Sequence, residues 1–209
     1  MNRFEFATAQ RIIFGCGVMR ELPALAAEFG QRALLITGSR PAQWESRLSY
    51  AGFKSIRGEP TVQDIQSGVE LAKLHNADVI IAIGGGSVID AGKAIAAMST
   101  QPDDLIRYIE VIGEGKPLEA APLPFIAVPT TAGTGAEATR NAVIASEQHR
   151  VKASLRHFSM LPRIALIDPE LAVDLPPHVT AASGMDALTQ CLEAFVCSRA
   201  QPMTDALCL

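Results

Sequence analysis

The sequence lacks the features that mark several classes of protein. Its four cysteines have no CxxC spacing and form no disulfide-like framework, which favours reduced thiols. It has no lysine- and arginine-rich run and a net charge of −4, so nothing indicates nucleic acid or an anionic membrane as a partner. No apolar run reaches membrane-spanning length, and the start of the chain has no signal-peptide core. We therefore expect a cytoplasmic protein.

Strand-like and helix-like segments alternate along most of the chain. Residues 33–37 form a continuous apolar run typical of a buried strand, and further strands are predicted at residues 78–83, 125–128 and 164–168. Residues 11–15 indicate a strand or a hairpin arm, and residues 53–56 are a candidate third strand. Thr61 and Asp64 have the spacing of a helix-capping box. Apolar strands separated by amphipathic helices need cover on both faces. The pattern therefore predicts an α/β protein with a Rossmann-like parallel sheet and helices on both faces.

The pattern changes after Pro176 and Pro177. From His178 onward the sequence is typical of helix alone, and it stops in what looks like the middle of a helix. We predict an α/β domain over residues 1–177 and the beginning of a truncated all-helical domain over residues 178–209.

Three consecutive glycines, Gly84 to Gly86, stand between a predicted strand and a predicted helix in "IAIGGGSVIDAGKAIAAM". Ligands of open α/β sheets bind where strands lead into helices, and the first amides of such a helix favour an anion. Glycines let the backbone approach a phosphate, Ser87 adds a hydroxyl donor, and Asp90 could orient a ribose or hold the turn. The alternative is a tight turn without a ligand. Neither a Walker A motif nor GxGxxG is present.

A second loop of similar chemistry follows the strand at 125–128. The segment "VPTTAGTGAEAT" brings Thr130, Thr131 and Thr134 together with two glycines in one loop. Hydroxyls and bare backbone suit phosphate or ribose, although surface loops without ligands also carry such residues. Because two such loops follow two strands, a nucleotide cleft is the better interpretation.

Four segments together resemble the iron-containing (group III) alcohol dehydrogenase family. They are "GGGSVIDAGKAIA", "PTTAGTGAEAT", "IDPEL" and "GMDALTQCLEAF", in the family's order and spacing. The resemblance implies an α/β domain that binds NAD(P) and an all-helical domain that holds a divalent metal. It also implies hydride transfer between the nicotinamide and a small alcohol or aldehyde in the cleft between the domains.

The resemblance assigns cofactor contacts to both loops. The residues expected at the pyrophosphate and nearby ribose are Gly85, Gly86, Ser87 and Asp90. Those expected to line the cofactor cleft are Thr130, Thr131 and Thr134. Lys152 matches a cofactor-contacting lysine of the family. Without the resemblance, Lys152 would be interpreted as a solvated lysine on a hairpin arm.

The end of the second predicted strand bears on the choice between NAD and NADP. Several NAD-using members of the family have an aspartate where this chain has Gly38, which Ser39 and Arg40 follow. A carboxylate there would bind the ribose hydroxyls and repel a 2′-phosphate. Its absence slightly favours NADP. Arg40 is equally well interpreted as a solvated residue at a helix start.

The metal site implied by the resemblance is incomplete. Asp186 matches the first ligand, and Gln190 stands where the family usually has a histidine. The two residues are one helical turn apart on one face. A neutral glutamine oxygen binds less strongly than imidazole, so Zn²⁺ is disfavoured and Fe²⁺ is held weakly. Two further family histidines belong to the helical region that this chain largely lacks.

Two classes of function remain open. One is an NAD(P)-dependent, metal-assisted alcohol dehydrogenase or aldehyde reductase, with a maleylacetate reductase-like oxidoreductase as the nearest alternative. The other is a non-catalytic nucleotide-binding remnant, or a split-gene subunit that needs a second polypeptide to supply the helical domain. As a protein partner we expect either that second polypeptide or a second copy of this chain in a homodimer, because the early strands are suited to pairing at a subunit edge. The apolar helix face with Leu188, Leu192 and Phe195 predicts that the chain associates.

Overall fold

A parallel sheet with six strands organises the protein, whose computed structural model describes residues 3–39, 41–44 and 48–209. The eight strands of the described chain are β1 (Arg11–Phe14), β2 (Ala33–Thr37), β3 (Gly52–Ser55), β4 (Val79–Gly84), β5 (Phe125–Pro129), β6 (Asn141–Ser146), β7 (Val151–Arg156) and β8 (Ile164–Ile167). The order in the large sheet is β1-β8-β5-β4-β2-β3, with every pair parallel. The six strands predicted from the sequence are confirmed to within one residue at each end. Arg40, which the sequence left with two interpretations, lies outside the described residues.

Six α-helices connect or follow these strands in the described chain. They are α1 (Leu22–Ala27), α2 (Val62–Leu74), α3 (Gly86–Met98), α4 (Leu105–Tyr108), α5 (Pro177–Val196) and α6 (Pro202–Cys208). The predicted capping box starts α2. The Asp64 amide donates to Thr61 Oγ1 and the Thr61 amide donates to the Asp64 carboxylate, each over 3.1 Å.

The sheet is covered on both faces, as the apolar strands predicted. Successive side chains of a strand point to opposite faces. Leu34 and Ile36 of β2 therefore join the core shared with α2 and α3, while Leu35 joins the core shared with α1. All six residues of β4 are buried, which is the expected state of a strand with helices on both sides.

An antiparallel hairpin, β6 and β7, lies outside the large sheet and was not among the predicted strands. Its register runs from Asn141 opposite Arg156 to Ser146 opposite Val151. Alternate residues of β6 are buried, and Ile144 packs in the same core as α3. This alternation of period two was the available signal, but small residues such as alanine weaken it.

The last two helices differ from the four helices before them, because α1 to α4 each contain buried residues and neither α5 nor α6 does. His178 lies in the first turn of α5, which begins one residue before the predicted helical region. Across the described ranges, no helix is both long enough and apolar enough to cross a membrane. All four cysteines are free thiols.

Candidate nucleotide-binding site

The candidate site lies between β2 and β4, where the order in which the chain adds strands to the sheet changes direction. From β2 the chain moves outward to β3, whereas from β4 it moves the other way to β5. A crevice forms between two such neighbouring strands at their carboxyl ends, and this is where open α/β sheets bind ligands. An open cleft of about 420 Å³ is found there. Its lining includes Thr37, Gly38, Ser39, Gly84, Gly85 and Thr130.

The glycine loop delivers the start of α3 to this cleft. Gly85 is the N-cap of α3, and no side chain caps the helix. The amides of Val88 and Ile89 donate to the Gly85 carbonyl over 3.0 and 3.1 Å. The half-buried Ser87 is the second residue of the helix. A helix start without a side-chain cap offers its first amides and the positive end of its dipole to an anion.

The glycine and threonine loops face each other closely. The Thr130 amide donates to the Gly84 carbonyl over 3.0 Å. A Cβ atom added at Gly86 would lie 2.9 Å from the Thr134 side chain, and one added at Gly85 would lie 3.5 Å from Thr131. The structure therefore brings together the residues that the sequence predicted in both loops.

The absence of a side chain has a different local consequence at each of the three glycines. A Cβ atom at Gly84 would lie only 2.7 Å from the Val88 side chain, so this glycine permits the tight turn from strand to helix. Gly86 permits the approach of the threonine loop, and Gly85 has room for ordinary contact. The tight-turn interpretation therefore accounts for Gly84 but not for the whole triplet.

Asp90 points to the hairpin and to a buried lysine. Its carboxylate accepts a hydrogen bond from the Val143 amide over 2.9 Å and pairs with the Lys93 ammonium over 2.9 Å. Burial raises the pKa of Asp90, although Lys93 opposes this effect. Asp90 therefore ties α3 to β6, a role that the sequence did not predict, and the predicted ribose contact stays a prediction.

Sequence reasoning missed Lys93, although the residue lies inside the glycine-loop motif. Its side chain is fully buried, and burial lowers its pKa while the nearby Asp90 carboxylate opposes that shift. The signal that could have found it is the Asp90–Lys93 spacing of three, which puts opposite charges on one face of an otherwise apolar helix.

Gly38 and Ser39 border the cleft at the end of β2. A Cβ atom at Gly38 would have no heavy atom within 4 Å. Ser55 Oγ donates to the Gly38 carbonyl over 2.7 Å, which holds this segment to β3. The position predicted to read the adenosine ribose is therefore both at the cleft and open.

Lys152 lies on the hairpin arm β7 and is exposed. Its ammonium pairs with the Glu59 carboxylate over 3.1 Å. Among the described residues, Lys152 is not part of the cleft lining. Its predicted cofactor contact stays a prediction.

Asp168, in the "IDPEL" segment, is a second polar residue whose role the sequence analysis did not identify. It is only 3% exposed, and its carboxylate accepts hydrogen bonds from the amides of Gly17, Met19 and Glu170 over 3.0 to 3.1 Å. Burial raises its pKa, but these amide hydrogen bonds outweigh that effect, and the net shift is downward. Asp168 thus joins the end of β8 to the turn after β1.

The predicted metal ligands Asp186 and Gln190 both lie on α5. The Gln190 amide donates to the Gly133 carbonyl over 3.1 Å, so its side chain contacts the threonine loop. Within residues 3–39, 41–44 and 48–209, no group of three histidine, cysteine, aspartate or glutamate side chains is arranged to hold a metal ion. The donors that are present do not complete a site for Fe²⁺ or Zn²⁺.

Comparison with known proteins establishes the family. A family model described as iron-containing alcohol dehydrogenase matches residues 9–169. The protein therefore belongs to the iron-containing alcohol dehydrogenase family, and the resemblance found in the sequence is confirmed.

Individual relatives include several oxidoreductases. The choline dehydrogenase of Bacillus subtilis (strain 168) is 39% identical over 221 residues, which cover 100% of this chain and 54% of that protein. The NAD-dependent methanol dehydrogenase of Bacillus methanolicus is 37% identical over 165 residues, covering 79% of this chain and 42% of that protein. The chain thus spans about half the length of the curated relatives it matches.

Solved structures share the fold. The sulfoacetaldehyde reductase from Bifidobacterium kashiwanohense, in complex with NAD⁺, has a TM-score of 0.91 at 29% identity, covering 100% of this chain and 57% of that one. The maleylacetate reductase from Agrobacterium tumefaciens has a TM-score of 0.79 at 24% identity and covers 55% of that chain, a likeness of fold alone.

Proposed function

We propose that this chain is the cofactor-binding part of an NAD(P)-dependent alcohol dehydrogenase or aldehyde reductase that acts on a small alcohol or carbonyl compound. The observation that supports it is the close approach of the glycine and threonine loops beside the cleft between β2 and β4. Family membership supports the reaction class.

The donors at the cleft suit a dinucleotide. The start of α3 offers amides and dipole to the pyrophosphate, and the Ser87 hydroxyl adds a donor. Thr130, Thr131 and Thr134 present hydroxyls from the facing loop. Gly86, which has no side chain, lets Thr134 pack directly against the start of α3. When bound, the nicotinamide cofactor supplies the group that accepts or donates the hydride.

The substrate side of the reaction needs more than the described residues. Asp186 and Gln190 stay proposed metal ligands, but the described donor set is incomplete, and we assign no chemical step to a metal here. We propose that a helical polypeptide region, in the same or a second chain, completes the cleft. We accordingly expect residues 1–209 alone to bind cofactor without oxidising alcohols.

The test of the cofactor assignment is Gly86→Val. The added side chain would meet Thr134 and occupy the space between the loops, so we expect the Kd for NADH and NADPH to rise by more than about tenfold. Nucleotide fluorescence titration measures the Kd. Gly184→Val is the matched control, because a Cβ atom there meets nothing within 4 Å. If the Gly86 variant is folded and binds as the unchanged protein does, the assignment is wrong.

We further propose a slight preference for NADP. Gly38 provides no carboxylate to repel a 2′-phosphate, and a side chain added at this position would meet no heavy atom within 4 Å of its Cβ atom. Gly38→Asp should therefore shift the ratio of the NADPH and NADH dissociation constants toward NADH by about tenfold. Calorimetric titration of both nucleotides measures the ratio. An unchanged ratio would mean that this position does not contact the ribose.

A further inference from the structure

Lys93 combines full burial with an unusually complete set of partners. Its ammonium donates to the Ala136 carbonyl over 3.0 Å, to Thr139 Oγ1 over 3.0 Å and to the Asn141 carbonyl. It also forms the ion pair with Asp90. All of these partners apart from Asp90 belong to one segment, residues 136–141, which leads from the threonine loop into β6.

Asp90 complements Lys93 from the same face of α3. Lys93 satisfies carbonyl and hydroxyl oxygens at the start of the segment, whereas the Asp90 carboxylate accepts from the Val143 amide two residues further on. We call this pair, Asp90 and Lys93, the α3 clamp. Lys93 therefore holds the segment at Ala136 and at Asn141, and Asp90 holds β6 just beyond the end of the segment.

The α3 clamp connects the parts of the proposed cofactor site. Helix α3 begins at the glycine loop, and the clamped segment begins directly after Gly135 of the threonine loop. The same segment continues into β6, whose partner strand β7 carries Lys152 opposite Ala145. A shift of the segment along α3 would therefore move the threonine loop and the Lys152 arm relative to the glycine loop.

Burial of a charge has a high cost unless the charge is paired and hydrogen-bonded, as Lys93 is here. Removing an ammonium from water is expensive, and removing only one member of a buried pair leaves the other uncompensated. An apolar residue in place of Lys93 would also leave the carbonyls of Ala136 and Asn141 without this donor. Leucine or alanine in its place would pack against the helix core without fixing the segment's register.

We propose that Lys93, acting with Asp90, is a positioning residue that sets the separation of the glycine and threonine loops. The nature of the ligand in that space rests on the proposed function, whereas the coupling of the two loops does not. Lys93 itself has no place in the cleft lining and acts through the backbone it holds.

The test is Lys93→Met, which keeps the length of the side chain and removes its charge, with Lys73→Met on the exposed face of α2 as control. We expect amide hydrogen exchange to become about tenfold faster over residues 130–143, with β2 and β3 unaffected. We also expect the Kd for NAD(P)H to rise about ten- to a hundredfold, since small displacements of a preorganised site are costly. Unchanged exchange and a Kd within about twofold of the control would overturn the proposal.

A milder variant covers the case in which Lys93→Met does not fold. Thr139→Val removes one acceptor of Lys93 and should produce the same pattern of faster exchange with a smaller rise in Kd. A lower melting temperature with normal exchange and affinity below that temperature would show a role in stability alone and contradict positioning. If the protein without substitutions binds no NAD(P)H, the proposed function is wrong. The hydrogen-exchange pattern then still tests whether Lys93 couples the glycine loop to the threonine loop.

Discussion

Strand β4 and helix α5 are both rich in apolar residues, but their surroundings differ completely. All six residues of β4 are buried, whereas none of the twenty residues of α5 is. The sheet receives helices on both faces, while α5 contacts α6 and the backbone of the threonine loop at Gly133. Burial therefore follows from the number of packing partners that an element finds, and apolar composition alone does not provide it.

The largest expected difference between the two regions is in the cost of removing an apolar side chain. Ile81→Ala, at a fully buried position of β4, should lower the free energy of unfolding by about 3 kcal/mol through lost burial and a cavity. Leu192→Ala, on α5, where the side chain is 58% exposed, should cost less than about 0.5 kcal/mol. Urea unfolding at low protein concentration measures both. Similar costs would show that α5 is covered in solution.

A second contrast concerns carboxylates. Asp168→Asn removes the charge and replaces one of the two buried oxygens that accept from three amides by an NH₂ donor, so it should cost about 2 kcal/mol of unfolding free energy. Asp186→Asn, on α5, should cost less than about 0.5 kcal/mol when measured with a chelator present. A large loss in the Asp186 variant under those conditions would mean that its carboxylate has a structural role in the helix.

The contribution of Asp168 should also depend on pH. Its pKa is lowered in the folded protein, so the unfolded state binds the proton more tightly. The stabilisation is present above the unfolded pKa of about 4 and is lost as the pH falls through the lower folded pKa. The difference in unfolding free energy between the unchanged protein and Asp168→Asn should therefore shrink below about pH 4. A difference that is constant with pH would contradict the assignment.

The smallest effect on folding, but a clear effect on association, is expected at the exposed stripe of α5. Met185, Leu188, Leu192 and Phe195 are exposed at helical spacing, which favours self-association. Leu188→Glu should increase the monomer fraction in sedimentation velocity while the unfolding free energy changes by less than about 0.5 kcal/mol. Leu74→Glu, an exposed position at the end of α2, is the control. Equal effects of both variants would mean that the stripe is not the contact surface.

Local patterns allowed much of the fold to be predicted. The four inner strands of the large sheet, β2, β4, β5 and β8, are recognisable as continuous apolar runs, because a strand buried on both faces needs no polar alternation. The edge strands β1 and β3 contain no buried residue. The capping box at Thr61 and Asp64 was also recognisable, because both partners lie within one helical turn. The strands β6 and β7 were not among those predicted, although Lys152 was interpreted as lying on a hairpin arm, because the buried positions of β6 include small residues with little apolar signal.

The candidate site could be predicted only in part for a similar reason. Glycines and threonines at two strand ends indicated a nucleotide cleft, since the chemistry of such loops is local. Lys93 and Asp168 were not identified, because most of their partners are distant in the chain: Ala136 lies 43 residues from Lys93, and Gly17 lies 151 residues from Asp168. No spacing rule connects an ammonium in α3 to the carbonyl of Ala136, or a carboxylate after β8 to the amide of Gly17.

The sequence by itself determined the α/β class, the strand positions and the two loops, because strand burial, capping and glycine geometry depend on neighbouring residues. Only the tertiary structure decided that Gly84 permits the tight turn into α3 and that Gly86 permits the close approach of Thr134. It also decided that Asp90 is paired with Lys93 and that Gln190 reaches Gly133. These outcomes depend on which elements the sheet order places side by side, and a buried charge or a missing Cβ has a definite role only once its distant neighbour is in place.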